Sequence, residues 1–457
     1  MSNFHGEILR RWIFPYSYKL RGMDFTGTME EALQNQRLDK DTIRALQFKK
    51  LKSLLQHAYS TVPFYKKQFN TAGIIPEDVK SFEDFSKIPS ITKEQIRQNP
   101  ESFLSTDPRS KAVDVSTSGA TGSPLKFHLS KCAIISNLVS HYRILQWWGI
   151  ELGDPHIMLW GYGYNPRKAP GFRKALQVLF TRPIEDLIMN RRTMAAFNIS
   201  KNDLKKDVAI LQKFKPKYIF TYPSALSFLA DFIRDQGING HNLEIQLILS
   251  FGEILYDQQT ELFHNVFGCP TVNGYGASEV GAIAGSLPCG QIHTMDDFIL
   301  VEVVKEHPSD EFGEIVVTLL ENFASPLIRY NLQDLAVPGD GNHECPLGVG
   351  FSTLKQIIGR HHDKILLADG TYVHGTVFTS AMNKIEHVKH FQVIQKQPDL
   401  FDILVVTDSE KDLPKIEKKV KARLRKRAGI KHANVIRVPA IPAETTGKFR
   451  FVRSEVN

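Results

Sequence analysis

Short apolar runs alternate with helix-period segments through the middle of this chain. Tyr218–Tyr222 (YIFTY) precedes the helix-like Ala225–Gln236, and Ile245–Ser250 (IQLILS) precedes the helix-like Asp257–Phe267. Apolar, β-branched runs of this length read as buried strands. Strands joined by helices lie parallel, because a crossover must carry the chain back before the next strand starts. The alternation, which begins near residue 113, predicts βα units around a largely parallel sheet. Such sheets bind ligands at the loops beyond the carboxyl ends of their strands. A chain of 457 residues exceeds one compact core, so two or three domains of roughly 100–200 residues are expected.

The flanking regions differ from this pattern. Residues 1–110 are polar and helix-like, with breaks at Pro63, Pro76 and Pro89. Leu51–Tyr65 starts as an amphipathic helix that Pro63 ends. Over 298–337 the strand-like runs Ile299–Val304 and Glu314–Leu319 sit close together, as in an antiparallel or barrel-like subdomain. A Gly- and Pro-rich stretch follows at 338–350. A smaller unit begins near Gly359 and reads strand (391–395), strand (401–406), basic helix (413–427), strand (434–438) and polar tail. The expected architecture is α/β. A large N-terminal domain over 1–358 holds mixed, largely parallel sheets and a small barrel-like subdomain. A small α+β domain follows over 359–457.

Composition narrows the class. With 42% apolar and 23% charged residues the chain reads as soluble and globular. Its four cysteines are scattered without a CxxC pair, so no disulfide framework and a reducing, cytoplasmic setting are expected. No signal peptide and no membrane span are read, since the best apolar stretch, around Ile245–Leu255, is interrupted by Gln246, Ser250, Gly252 and Glu253. The net charge of +8 is partly local: Lys415–Lys431 holds nine Lys or Arg. Ile416, Val420 and Leu424 recur there at helical spacing, so the stretch reads as a solvated basic helix face. An acidic partner, a phosphorylated carrier or a membrane surface would also suit it. Basic residues are not interleaved with aromatics, and nucleic acid is not an expected partner.

Chemistry gathers first at Ser116-Thr117-Ser118-Gly119-Ala120-Thr121-Gly122-Ser123-Pro124. Glycines let successive N–H groups converge on one point, and hydroxyls add donors, which suits a phosphate-like anion. The same composition also makes an ordinary surface loop. It is not a P-loop, because Ser123-Pro124 stands where Lys-[Ser/Thr] is required.

Four further segments follow in order. Asn273-Gly274-Tyr275-Gly276-Ala277-Ser278-Glu279 offers an aromatic face that can stack on a purine and a carboxylate that can hold Mg²⁺ beside phosphates. Arg329-Tyr330-Asn331-Leu332-Gln333-Asp334 ends in an acid able to accept hydrogen bonds from ribose hydroxyls. Ile358-Gly359-Arg360-His361-His362 lies at the apparent domain junction. Thr445-Thr446-Gly447-Lys448 lies almost at the C-terminus.

In this order and spacing the chain resembles the adenylate-forming superfamily of acyl-CoA synthetases, adenylation domains and luciferases. HAYSTVPFYKKQF (57–69) and FEDFSKIPSITK (82–93) are similar to phenylacetate–CoA ligases. FQVIQ (391–395) and TGKFRFVRSE (446–455) are more similar to relatives from capsular-polysaccharide gene clusters. The resemblance implies that ATP and Mg²⁺ activate a carboxylic acid as an acyl-adenylate, with release of pyrophosphate. A thiol, usually that of coenzyme A, then takes the acyl group. Alternative acceptors are an acyl carrier protein, an amine or a sugar, in polysaccharide or secondary-metabolite biosynthesis. A non-catalytic nucleotide-binding relative is a further alternative.

The roles implied are these. Ser116, Thr117, Ser118, Gly119, Thr121 and Gly122 hold the β- and γ-phosphates. Tyr275 and Gly276 pack on adenine, in a pocket lined by Gly252 and Glu253. Ser278 replaces the commoner threonine as a phosphate contact. Glu279 is catalytic through Mg²⁺, Asp334 binds ribose and Arg360 contacts the nucleotide. Lys448 is catalytic, bridging carboxylate and α-phosphate. The small domain is mobile and turns about His362. Some phenylacetate-ligase relatives carry a cysteine- and histidine-ligated zinc. Here Cys289, His293 and Cys345 are present, but Leu347 stands where another cysteine would complete a Cys-x-Cys pair. His343 is a substitute, and no structural zinc is expected.

Overall fold

A computed structural model describes residues 4–116, 126–161, 182–196, 201–341, 343–360, 364–368, 372–374, 378, 381–382, 385–407, 409–441 and 451–456. Strands are β1 (Val113–Ser116), β2 (Lys126–Leu129), β3 (His156–Leu159), β4 (Arg191–Met194), β5 (Tyr218–Thr221), β6 (Leu247–Ser250), β7 (Thr271–Ala277), β8 (Gly281–Ser286), β9 (Ile292–Thr294) and β10 (Ile299–Val304). They continue with β11 (Gly313–Leu319), β12 (Tyr330–Pro338), β13 (Thr353–Arg360), β14 (Lys364–Leu366), β15 (Tyr372–His374), β16 (His390–Gln397), β17 (Leu400–Val406), β18 (His432–Arg437) and β19 (Val452–Ser454).

Among the described residues, eleven strands form one mixed sheet in the order β10-β11-β12-β13-β9-β8-β7-β6-β5-β3-β4. The parallel part runs from β4 through β3, β5 and β6 to β7. Beyond β7 every pairing is antiparallel. The strands of 299–337 pair antiparallel, as expected, and extend the large sheet. The βα alternation holds: the helices Pro223–Asp235 and Asp257–Phe267 follow β5 and β6. Their buried faces, led by Leu226, Leu229, Ile233 and Phe263, cover Ile219 and Ile248 of the sheet.

The N-terminal region is helical as expected, and Pro63 starts a new helix as well as ending one. Lys40–Thr61 stops at Thr61, and Pro63–Ala72 begins with proline at its first position, where the missing N–H costs nothing. Leu51, Leu54 and Leu55 of the first of these helices are wholly buried in the main core. The segment also joins the sheet's periphery: Ile91 N–H donates to Arg329 O and Asn331 N–H donates to Ile91 O, both at 2.9 Å.

The helix Lys131–Gln146 crosses the sheet and is locked by Arg143. That guanidinium donates to both oxygens of Asp297 at 3.0 and 2.9 Å, with both side chains fully buried. Bidentate geometry offsets the desolvation such a pair suffers.

The C-terminal residues form a four-stranded sheet, β18-β17-β16-β19. Ile416, Val420 and Leu424 of the helix Leu413–Ala428 face a core that includes Phe401, Ile403 and Val452. The segment expected as a polar tail contributes β19, which pairs parallel to β16.

Candidate active site

The sheet changes hand of pairing within one strand. β7 runs parallel to β6 at Thr271–Asn273 and antiparallel to β8 from Gly274 to Ala277. The carboxyl end of β7 lies beside those of β6, β5 and β3, the side on which such sheets bind ligands. The Asn273–Glu279 segment lies there. Gly274 is dictated by its surroundings, since a Cβ would sit 2.0 Å from the Phe251 ring.

Tyr275 is buried on β7, and its hydroxyl donates to Asp334 Oδ2 at 2.7 Å. Asp334 lies on β12 directly opposite Arg360 of β13. Gln333, just before it, takes a left-handed backbone (φ 58°), and its N–H donates to Asn331 Oδ1 at 2.7 Å. Glu279, in the turn after β7, is buried, and its Oε1 accepts from Lys93 Nζ at 3.0 Å. Lys93 opens the helix Lys93–Gln98, whose N-cap Thr92 and third residue Gln95 form a capping box. Sequence alone did not single out Lys93. Its only signal is a lysine at the start of a capped helix.

The carboxyl ends of β3, β5 and β6 lead into Trp160, Tyr222 and Phe251. Trp160 stacks on Tyr222 with ring centroids 3.7 Å apart and on Phe220 at 4.9 Å. His141, from the helix that Arg143 locks, meets the edge of Phe220 at 5.0 Å. Burial pulls its imidazole down to about 4, so it is neutral at pH 7. Gly252 has φ +82°, and a Cβ there would lie 2.9 Å from the Tyr222 ring. Glu253 accepts from the N–H and hydroxyl of Ser224 at 3.0 and 2.9 Å, at the start of the helix Pro223–Asp235. Its anion faces the positive end of that helix. Burial, then the Glu253 charge, pushes the Tyr222 phenol up.

The structure thus gathers Tyr275, Gly276, Glu279 and Asp334, with the Arg360 backbone opposite Asp334. Ser278 is exposed in the same turn. Gly252 and Glu253 lie at the end of the adjacent β6. Ser116 ends β1, opposite Lys126 of β2, and the two strands pair antiparallel. Thr117, Ser118, Gly119, Thr121, Gly122, His362 and Lys448 lie outside the described residues, as do the side chains of Ser116 and Arg360. The chain beside Lys448 reaches the body: the Phe451 ring meets Tyr256 edge-on at 4.7 Å, three positions beyond Glu253.

A second cluster stands at the far end of β8. One donor atom from each of Cys289, His293, His343 and Cys345 lies within 4.8 Å of all the others. Cys289 Sγ is 3.6 Å from His293 Nε2 and 3.7 Å from Cys345 Sγ. His343 Nε2 is buried without a hydrogen-bond partner. Burial pulls the His293 ring down to about 4 and pushes the Cys289 thiol up. Two sulfurs and two imidazoles form a complete tetrahedral donor set for zinc. The expectation of no zinc rested on a missing cysteine. The fold supplies His343 as the fourth donor, so that reason falls.

Comparison with known proteins agrees with this arrangement. Residues 365–455 match the CapK C-terminal domain family. A phenylacetate-coenzyme A ligase of Pseudomonas putida is 27% identical over 371 residues, 78% of each chain. Protein CapK of Staphylococcus aureus is 23% identical over 391 residues, covering 82% of this chain and 81% of that one. The crystal structure of 2-hydroxyisobutyryl-CoA ligase with 2-HIB-AMP in the postadenylation state superposes with a TM-score of 0.76 at 19% identity, covering 93% and 92% of the two chains. The same enzyme in its thioesterification state gives 0.60 at 20% identity, over 92% and 91%. The fold is that of the adenylate-forming ligases. Over about four-fifths of its length the chain is similar to phenylacetate-coenzyme A ligases and to CapK, and its residues 365–455 match the CapK C-terminal domain family.

Proposed function

We propose that this protein is an ATP-dependent acid–thiol ligase. A carboxylate oxygen attacks the α-phosphorus of ATP, the bond to pyrophosphate breaks, and an acyl-adenylate forms. A thiolate, that of coenzyme A, then attacks the acyl carbon, and AMP leaves. The observation that carries this reading is the Tyr275–Asp334 hydrogen bond, held opposite Arg360 and beside buried Glu279 at the strand where pairing reverses. Tyr275 offers a ring to adenine, and Asp334 a carboxylate to ribose. Glu279 is the residue that would hold Mg²⁺, which supplies charge neutralisation for the phosphates. Lys93 already places a cation on that carboxylate, so the buried site suits positive charge.

In this proposal residues 1–358 form the large domain and 359–457 the small one, turning about His362. The separate C-terminal core supports that division. Lys448 meets two anions, the carboxylate and the α-phosphate, and stabilises the charge that develops between them. The 116–124 loop holds the leaving pyrophosphate.

The test is carboxylate-dependent pyrophosphate exchange across a panel of aryl, alkyl and hydroxy acids. Lys448→Ala abolishes exchange in a folded protein. Gly122→Val weakens exchange but spares thiol transfer from a supplied acyl-adenylate. No exchange with any acid would overturn the enzyme reading in favour of a nucleotide-binding relative. A carrier-protein acceptor has one observation in its favour: Leu413–Ala428 exposes Lys415, Lys418, Lys419, Lys421, Arg425 and Lys426 on one element. AMP release that needs a carrier and is absent with coenzyme A would select it.

A further inference from the structure

The largest exposed apolar side chains lie far from the candidate site, on the first helices. Trp12 is 72% exposed, Tyr16 66% and Leu20 70%, with Ile13 at 37% beside them. The first three recur every fourth residue along the continuous helical run Leu9–Ile13 and Phe14–Leu20, so they form one line on its surface. The opposite side is anchored. Leu9 and Phe14 are fully buried, and Phe14 meets Tyr142 edge-on at 6.0 Å. Packing therefore fixes which face the run turns outward.

A second helix adds to the patch. Arg182–Ile188 exposes Ile184 at 61% and Leu187 at 62%. Both helices flank the turn at 151–153. Arg10 Nε donates to Leu152 O at 2.9 Å, and Asn190 Nδ2, just past the second helix, donates to Gly153 O at 2.8 Å. Arg191 is close enough to Tyr18 to act on its phenol.

The rim of the patch is basic. Phe4–Arg21 holds Arg10, Arg11, Lys19 and Arg21; Arg10 pairs with Glu151 and Arg11 with Glu7 at 2.9 Å, so the excess positive charge sits at Lys19 and Arg21. Arg11, Lys19 and Arg21 are exposed. Lys131 Nζ donates to Arg21 O at 2.6 Å and adds a cation at the same end. Large aromatic and aliphatic side chains rimmed by Arg and Lys make an interfacial helix, lying in the headgroup layer. A second copy of this chain fits less well: a two-fold contact would set these cations against their own counterparts.

We propose that the face formed by Trp12, Ile13, Tyr16 and Leu20, with Ile184 and Leu187, docks the protein on an anionic bilayer surface. The rings and aliphatic side chains enter the headgroup boundary, and Lys19 and Arg21 meet lipid phosphates. No described helix is long and apolar enough to cross a membrane, so the contact is peripheral.

Flotation of the full chain with vesicles tests this. Phosphatidylcholine vesicles are compared with vesicles containing about one-third phosphatidylglycerol. The wild type is expected to float with the anionic vesicles at least tenfold better than with the neutral ones. Adding salt should release it. A Trp12→Ser/Tyr16→Ser/Leu20→Ser variant and, separately, a Lys19→Glu/Arg21→Glu variant should each lose at least tenfold of that binding. Both variants should keep wild-type circular dichroism and pyrophosphate exchange. Equal flotation with both vesicle types, or variants that float like the wild type, would overturn the proposal. So would a dimer in sedimentation that the triple variant abolishes, or a protein partner that competes for the same face and leaves no vesicle binding.

Discussion

Lys93 Nζ lies 3.0 Å from Glu279 Oε1, joining the N-terminal helical region to the turn after β7. The carboxylate is buried while the ammonium is about one-third exposed, so the lysine chiefly compensates a charge that water cannot reach. Lys93→Met leaves that charge unpaired. In the absence of nucleotide it should cost about 1–3 kcal/mol, read as a lower midpoint in thermal unfolding. Saturating Mg²⁺·ATP should recover most of the loss. Glu279→Gln should lower pyrophosphate exchange by about 100-fold, roughly 2.7 kcal/mol of transition-state stabilisation, with little effect on folding.

The Tyr275–Asp334 hydrogen bond separates ring from hydroxyl. Tyr275→Phe keeps the stacking surface and takes one hydrogen bond from Asp334, so it should raise the KM for ATP by about five- to tenfold, the worth of one hydrogen bond. Asp334→Ala removes the ribose contact and should raise it by at least 30-fold, roughly 2 kcal/mol for a charge-assisted bond. Steady-state kinetics with ATP and its 2′-deoxy analogue should show Asp334→Ala losing most of the discrimination between them.

The Cys289–His293–His343–Cys345 cluster should hold one zinc per chain in elemental analysis. His343→Ala and Cys345→Ser should each lose it and lower the unfolding midpoint by at least 5 °C, because a structural site lends its binding energy to folding. One strand, β8, stands between the cluster and β7: His293 is opposite Gly285, which is opposite Gly274. Activity below the new midpoint should therefore stay within about threefold of wild type, as for substitutions outside the site.

His156 sits at the start of β3, buried and stacked on Tyr218 at 4.5 Å. Burial pulls it down to about 3, below the unfolded value near 6.5. The unfolded chain therefore binds the proton first. The contribution of the neutral ring is fully present above about pH 6.5 and is lost as pH falls toward 3. Urea unfolding at pH 7, 5 and 4 should show His156→Phe with a shallower acid decline than wild type. Parallel declines would refute the assignment.

The βα alternation was legible because each step is local. YIFTY and IQLILS announce buried strands, and the helices after them show their period. The Tyr275, Glu279 and Asp334 segments were legible as motifs, and the fold shows what joins them. Lys93 was not legible, since it meets Glu279 across 186 positions. The fourth donor of the cysteine cluster was legible as a candidate, His343, and the fold decides that it joins the other three. β19 was missed because Val452–Ser454 is too short and polar to call for a strand by itself. Its ladder to β16 creates it. Proline punctuation marked the helix end at Pro63 correctly, and Val62 serves both as the cap of that helix and as the start of the next.

The bond pair at Ile91 has a consequence for synthesis. Its partners, Arg329 and Asn331, leave the ribosome roughly 240 residues later, which at about 5–20 residues per second is on the order of 10–50 s. The helix Lys40–Thr61 waits just as long, since Lys50 docks on Asp297 and Glu321. Throughout that interval the apolar face of Leu51, Leu54 and Leu55 lacks the core residues that arrive from Ile299 onward. A nascent chain of this protein therefore carries its earliest-made helices as its last-settled ones, and slowing translation before residue 330 lengthens the period in which a chaperone must hold them.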